Sequence, residues 1–101
     1  MYMDNNELLR KKINLETATF PWSELLRHFA TGNVIAVEST LDLVDVAVAM
    51  ANDDANVIGQ LLSSGKIAKV SDTQAQLWLE QDLTLWTVVV KPWVLVQQRL
   101  N

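Results

Sequence analysis

The chain has 101 residues, 50% apolar and 20% charged, ordinary usage for one globular domain with a single modest core. It has no cysteine and a formal net charge of −4. Disulfides and thiolate chemistry are thereby excluded, a reducing compartment is expected, and the acidic balance argues against nucleic acid as a partner.

The polar start, Met1 to Glu7, lacks the basic-then-apolar pattern of a signal peptide, and no apolar run approaches the ~20 residues of a membrane span. A cytoplasmic protein without membrane association is expected. Residues 1 to 5 should fray, and Asp4 or Asn5 can cap a first helix running to about Thr17, with Leu8, Leu9, Ile13 and Leu15 at loose helical spacing. The basic cluster Arg10-Lys11-Lys12 reads as a solvated helix face.

Pro21 suits the first turn of a helix, where its missing N–H is not needed. Trp22, Leu25, Leu26, Phe29 and Ala30 then form one apolar stripe, and Gly32 stands where a left-handed cap wants glycine. Asn33 to Glu38 reads as a short buried strand. The segment Leu41–Asn52 fits either a helix (Leu43, Val46, Ala47 and Met50 on one face) or a strand alternating Val44, Val46, Val48 and Met50. A capping signal at Ser39 with Asp42 three positions on, and the segment's length, favour helix. Asp53 or Asp54 caps a further helix that buries Val57, Ile58, Leu61 and Leu62 and ends at Gly65. Gly59 inside it costs about 1 kcal/mol relative to alanine. Lys66–Val70 reads as a lysine-flanked edge strand, and Ser71-x-x-Gln74 as a capping box opening a helix to Asp82 with Ala75, Trp78 and Leu79 inward.

The last apolar run, Leu85 to Val96, holds Trp86 and Trp93 and is apolar on both alternating faces, the mark of a central strand. As one straight strand it would span roughly 40 Å at ~3.3 Å per residue, too long for a domain of this size. A hairpin at Lys91-Pro92 would need a cis bond at the second turn position. The reading adopted is a strand kinked at Pro92, with Leu85–Val90 in the core sheet and the second half at a sheet edge. Trp93, Val94, Leu95 and Val96 then become the candidate edge for an isologous homodimer. These elements predict an α+β fold: one domain with a mixed sheet of three or four strands and helices packed mainly on one face.

No phosphate loop, nucleotide fingerprint or nucleophile elbow is present, and the single histidine, His28, has no cysteine or second histidine to share a metal with. No cofactor or metal is therefore expected. From His28 to Gly65 there is no lysine or arginine, while Glu38, Asp42, Asp45, Asp53 and Asp54 accumulate. These five residues form a candidate acidic surface. It can dock a basic protein partner, and it can supply Asp42 and Asp45, with His28, to carboxylate-based catalysis.

The segments Pro21-Trp22-x-Glu24-Leu25, Phe29-Ala30-x-Gly32, Leu41-Asp42-Leu43-Val44-x-Val46-Ala47, Asp53-Asp54, Val70-Ser71-Asp72 and Val88-Val89-Val90-x-Pro92-Trp93-Val94-Leu95-Val96-Gln97 resemble a family of short bacterial proteins of unknown function. The resemblance spans nearly the whole chain and implies a stand-alone bacterial domain. It implies no activity, ligand or active site. Two readings of function follow from the residues: a non-enzymatic, oligomeric interaction module using the acidic surface, or a small-molecule-binding domain with a pocket between helices and sheet lined by Trp22, Trp78 or Trp86. A carboxylate-based enzyme is the third.

Overall fold

Helix α1 (Asn5–Glu16) presents Ile13 to the interior and leaves most of its length to solvent. The computed structural model describes residues 5–98. The expected fraying of residues 1–4 and the Asp4 cap lie outside that range, and Asn5 is already helical. After α1 comes a strand that the sequence does not announce, β1 (Ala18–Pro21). It has no buried residue and exists because it pairs antiparallel with β4 (Thr84–Val90), Phe20 opposite Leu85. The Trp22 N–H follows suit and donates to the Leu83 carbonyl at 2.8 Å. This tie to the sheet takes up the first turn of the expected helix. Trp22–Leu25 forms a 3-10 turn, and only Leu26–Ala30 is α-helical (α2). Pro21 therefore ends a strand instead of opening a helix.

The remaining elements are β2 (Val34–Val37), α3 (Leu43–Ala51), α4 (Ala55–Ser63), β3 (Ile67–Lys69), α5 (Asp72–Glu80), β4 and β5 (Trp93–Gln98). The ambiguous 41–52 segment is helical. Its cap is Asp42, not Ser39: the Asp42 carboxylate accepts from the backbone N–H of Val44 at 2.9 Å and of Asp45 at 3.4 Å. Asp54 caps α4 through Val57 N–H, and Ser71 caps α5 through Gln74 N–H.

Four helices end with the same pair of backbone bonds. The residue after the cap donates back three positions and the next donates back five: Gly32 and Asn33 after α2, Asp53 and Asp54 after α3, Gly65 and Lys66 after α4, Asp82 and Leu83 after α5. The motif needs a left-handed residue. Glycine supplies it at Gly32 and Gly65, and aspartate at Asp53 (φ 55°) and Asp82 (φ 50°).

The sheet has five strands, not three or four, in the order β1-β4-β5-β2-β3. The terminal run is a hairpin. Lys91-Pro92 is cis, Val90 pairs with Trp93, and β4 and β5 lie antiparallel through six residue pairs. This resolves the length problem without a kink and puts β5 in the middle of the sheet, parallel to β2 on its other side. Residues 93–96 are consequently not an edge: Val94, Leu95 and Val96 are buried at 2%, 0% and 0% exposure. A dimer assembled on that strand has no free backbone to pair with. The true edges, β1 and β3, discourage strand addition. Pro21 removes a donor from one, and the other is a three-residue strand flanked by Lys66 and ending in Lys69.

Helices cover both faces, which corrects the one-sided packing expected. On one face α1, α3 and α4 pack around Ile13, Ile35, Val37, Leu43, Val46, Ile67, Val88 and Leu95. On the other, the 3-10 turn, α2 and α5 pack around Trp22, Leu25, Val34, Trp78, Leu85 and Val96. Trp22 is fully buried there, its ring edge-to-face with Trp78 at 5.1 Å and tilted against Phe29 at 5.7 Å. The result is a three-layer single α+β domain.

Candidate functional site

Register decides which side chains meet. The two-residue turn reverses the alternation, so Trp93 and Leu95 join Trp86, Val88 and Val90 on the α3/α4 face; a continuous strand would have put them on the opposite one. Ile35 stands beside Leu95 on β2, and Lys69 stands opposite Ile35 on β3. At the hairpin end of this face the sheet has a floor of Ile35, Ile67, Val90 and Trp93.

Over that floor runs α4. Its apolar positions Val57, Ile58, Leu61 and Leu62 follow helical spacing, yet none of its residues is buried. Val57 is 40% and Leu62 52% exposed. Beneath it lies a groove of about 610 Å³, lined chiefly by Met50, Ile58, Leu62, Ile67, Val90 and Trp93. That size and lining are those of small-molecule sites. Gly59 opens the roof further, since a Cβ there would meet nothing within 4 Å.

Four charged side chains line the same groove: Asp53, Asp54, Lys69 and Lys91. The Lys69 ammonium lies 5.6 Å from the centre of the Trp93 ring, a cation–π contact at an exposed site. The Asp54 carboxylate is engaged at the α4 N-terminus. Among the described residues no ion pair joins the two lysines to the two aspartates.

The five predicted acidic residues lie in three places, Glu38 just after β2 and the other four at either end of α3. Asp42 and Asp45 sit at the start of α3, and Asp53 and Asp54 beyond its end, roughly 13 Å away at 1.5 Å per helical residue. Arg10 of α1 bridges the first pair: it donates to Asp42 at 3.1 Å and also to Asp45. Those carboxylates hold the Arg10 guanidinium pKa above its usual value, the hydrogen bond it donates to Asp45 being the largest cause. The basic cluster of α1 is thus partly a clamp between helices. Glu38 accepts a bond from the Thr40 hydroxyl, and its backbone carbonyl, like that of Leu41, accepts from the Gln97 side-chain amide.

His28 lies on α2, on the opposite sheet face from Asp42 and Asp45, so the structure does not assemble the three into one site. Among the described residues no cluster of three or more His, Cys, Asp or Glu could hold a metal ion. Trp22 is in the core, Trp86 is 39% exposed away from the groove, and Trp78 borders only a smaller recess of about 290 Å³ floored by Ala36 and Ala68. The tryptophan that lines the large groove is Trp93, whose assignment depended on the turn.

Fold and groove together define a small three-layer α+β domain with a lateral apolar groove. The chain belongs to the family described as protein of unknown function DUF2288, whose model matches residues 8–98. It is similar to the protein in the NMR solution structure of PA1075 from Pseudomonas aeruginosa, at 42% identity and a TM-score of 0.82, covering 100% of this chain and 94% of that one. No curated protein matches it. The family description assigns no activity. No helix among the described residues is long and apolar enough to cross a membrane.

Proposed function

We propose that the protein is a non-catalytic binding domain of the bacterial cytoplasm that takes a small apolar ligand between α4 and the sheet. The observation that carries this reading is the groove of about 610 Å³ roofed by a helix with no buried residue. An amphipathic helix draws most of its stability from burying its apolar face. Here that burial is incomplete, and a ligand in the groove covers Ile58 and Leu62.

Docking of a basic protein on Glu38, Asp42, Asp45, Asp53 and Asp54 is the weaker reading. Glu38 follows β2, the other four fall at two ends of α3, and Arg10 already engages two of them. A homodimer would have to use a surface other than residues 93–96, which β4 and β2 already flank.

The test uses N-phenyl-1-naphthylamine, an uncharged apolar fluorophore. Saturable enhancement with one site per chain is expected. Leu62→Asp, which places a charge in the groove at a position already 52% exposed, should abolish binding while near-UV circular dichroism and melting temperature are retained. No saturable signal from the parent protein, or undiminished binding by a folded Leu62→Asp variant, would overturn the reading.

A further inference from the structure

We infer that the ligand of this groove is an amphiphilic anion: a compact apolar body under α4 and a single negatively charged head between Lys69 and Lys91. The inference rests on the groove being a ligand site and adds the charge of what it holds.

The four ionic residues of the lining differ in how their charge is compensated. Asp54 accepts the Val57 N–H at the start of α4, and Asp53 immediately precedes it. The Asp54 carboxylate sits where the exposed amides and dipole of a nine-residue helix favour negative charge, and its charge is answered by the helix itself. Asp53 stands between the end of α3 and the start of α4, so the two helix dipoles act on it in opposite senses. Among the described residues Lys69 and Lys91 have no such answer. Lys91 is exposed in the hairpin turn, and Lys69 lies over the face of Trp93. That contact is worth little at an exposed site, and it is compatible with the lysine turning its ammonium to an anion while its stem stays on the ring.

The two lysines also approach the groove from different elements, one from β3 and one from the β4–β5 turn, and the apolar floor lies within the same lining. An anion held by both has its apolar body directed over Trp93 and toward Ile58 and Leu62. A cation would meet two lysines, and of the two carboxylates Asp54 is already engaged by α4. A neutral ligand would leave the lysines unused.

Two probes that differ in the head group separate this inference from the reading beneath it. 8-Anilinonaphthalene-1-sulfonate carries an anion on the same aromatic body that N-phenyl-1-naphthylamine presents without one. The double variant Lys69→Gln/Lys91→Gln should weaken the sulfonate roughly three- to tenfold and change binding of the neutral probe less than twofold, the size expected of two partly exposed ion pairs. Lys69→Arg/Lys91→Arg should restore the sulfonate. Raising the salt concentration should weaken the sulfonate alone, and 1-naphthoate should displace it competitively.

If the neutral probe binds while the sulfonate is unaffected by the glutamine variants, or if dodecyltrimethylammonium displaces the sulfonate better than 1-naphthoate does, the anion assignment is overturned and the groove stands. If neither probe binds, the groove reading itself fails.

Discussion

Leu95→Ala tests the placement of β5 most directly. Leu95 has no exposed surface; it stands between Val88 of β4 and Ile35 of β2 and packs in the cluster that holds Val46 and Ala47 of α3. These neighbours come from β2, β4 and α3, so the site cannot collapse by shifting one helix. The cost should be about 3–4 kcal/mol, within the range for buried leucine truncation. That is a large share of the ~5–15 kcal/mol a domain of this size possesses. By the usual unfolding entropy it lowers the melting temperature by roughly 15–25 °C.

Val89→Ala is the internal control. Val89 is in the adjacent strand of the same hairpin but is 52% exposed, and its truncation should cost less than about 1 kcal/mol. Urea unfolding followed by far-ultraviolet circular dichroism, at two protein concentrations, reads both. Equal losses in the two variants would refute the hairpin register. A parent melting temperature that rises with concentration, with Leu95→Ala abolishing that rise, would return residues 93–96 to a subunit interface.

Three further outcomes follow from the local structure. Gly59→Ala should raise stability by about 0.5–1 kcal/mol in a thermal melt, because the added Cβ meets nothing within 4 Å and the helix loses its glycine penalty. Asp53→Gly and Asp82→Gly should each stabilise by about 1 kcal/mol, since both aspartates hold a left-handed conformation that glycine adopts freely; a loss at Asp53 alone would show that its carboxylate has a structural partner. Asp42→Ala should cost about 1 kcal/mol through the lost α3 cap, and chemical denaturation should show a smaller loss for Asp45→Ala, which removes only an exposed contact with Arg10.

Local signals were legible wherever one residue type answers one backbone need. The Ser71 box, Gly32 and Gly65 as helix ends, and the capping role of Asp54 all stand in the sequence as they stand in the fold. The helical character of 41–52 was readable too, although the cap fell at Asp42, beside a loop carbonyl that Gln97 holds from 56 residues away. What escaped the sequence was non-local. β1 has no apolar alternation and forms because β4 offers it an edge. The start of the Trp22 helix was displaced by the same pairing, through Leu83.

The groove illustrates the same division. Composition placed Trp93, Ile58 and Leu62 among the apolar residues and the aspartates at helix ends. It could not tell that Trp93 would face α4, because facing depends on whether Lys91-Pro92 continues a strand or turns it. A strand's side chains alternate, so one turn reverses the allegiance of every residue after it. By itself the sequence determined where most helices lie, several of their ends and the pairing of apolar faces with a sheet. Only the tertiary structure decided that the terminal run doubles back, that its second half is the centre of the sheet, and that α4 lies over a groove lined by two lysines and two aspartates. The physical reason is range: caps and periodicity act within a few residues, whereas strand order and groove lining are set by contacts between segments the chain brings together last.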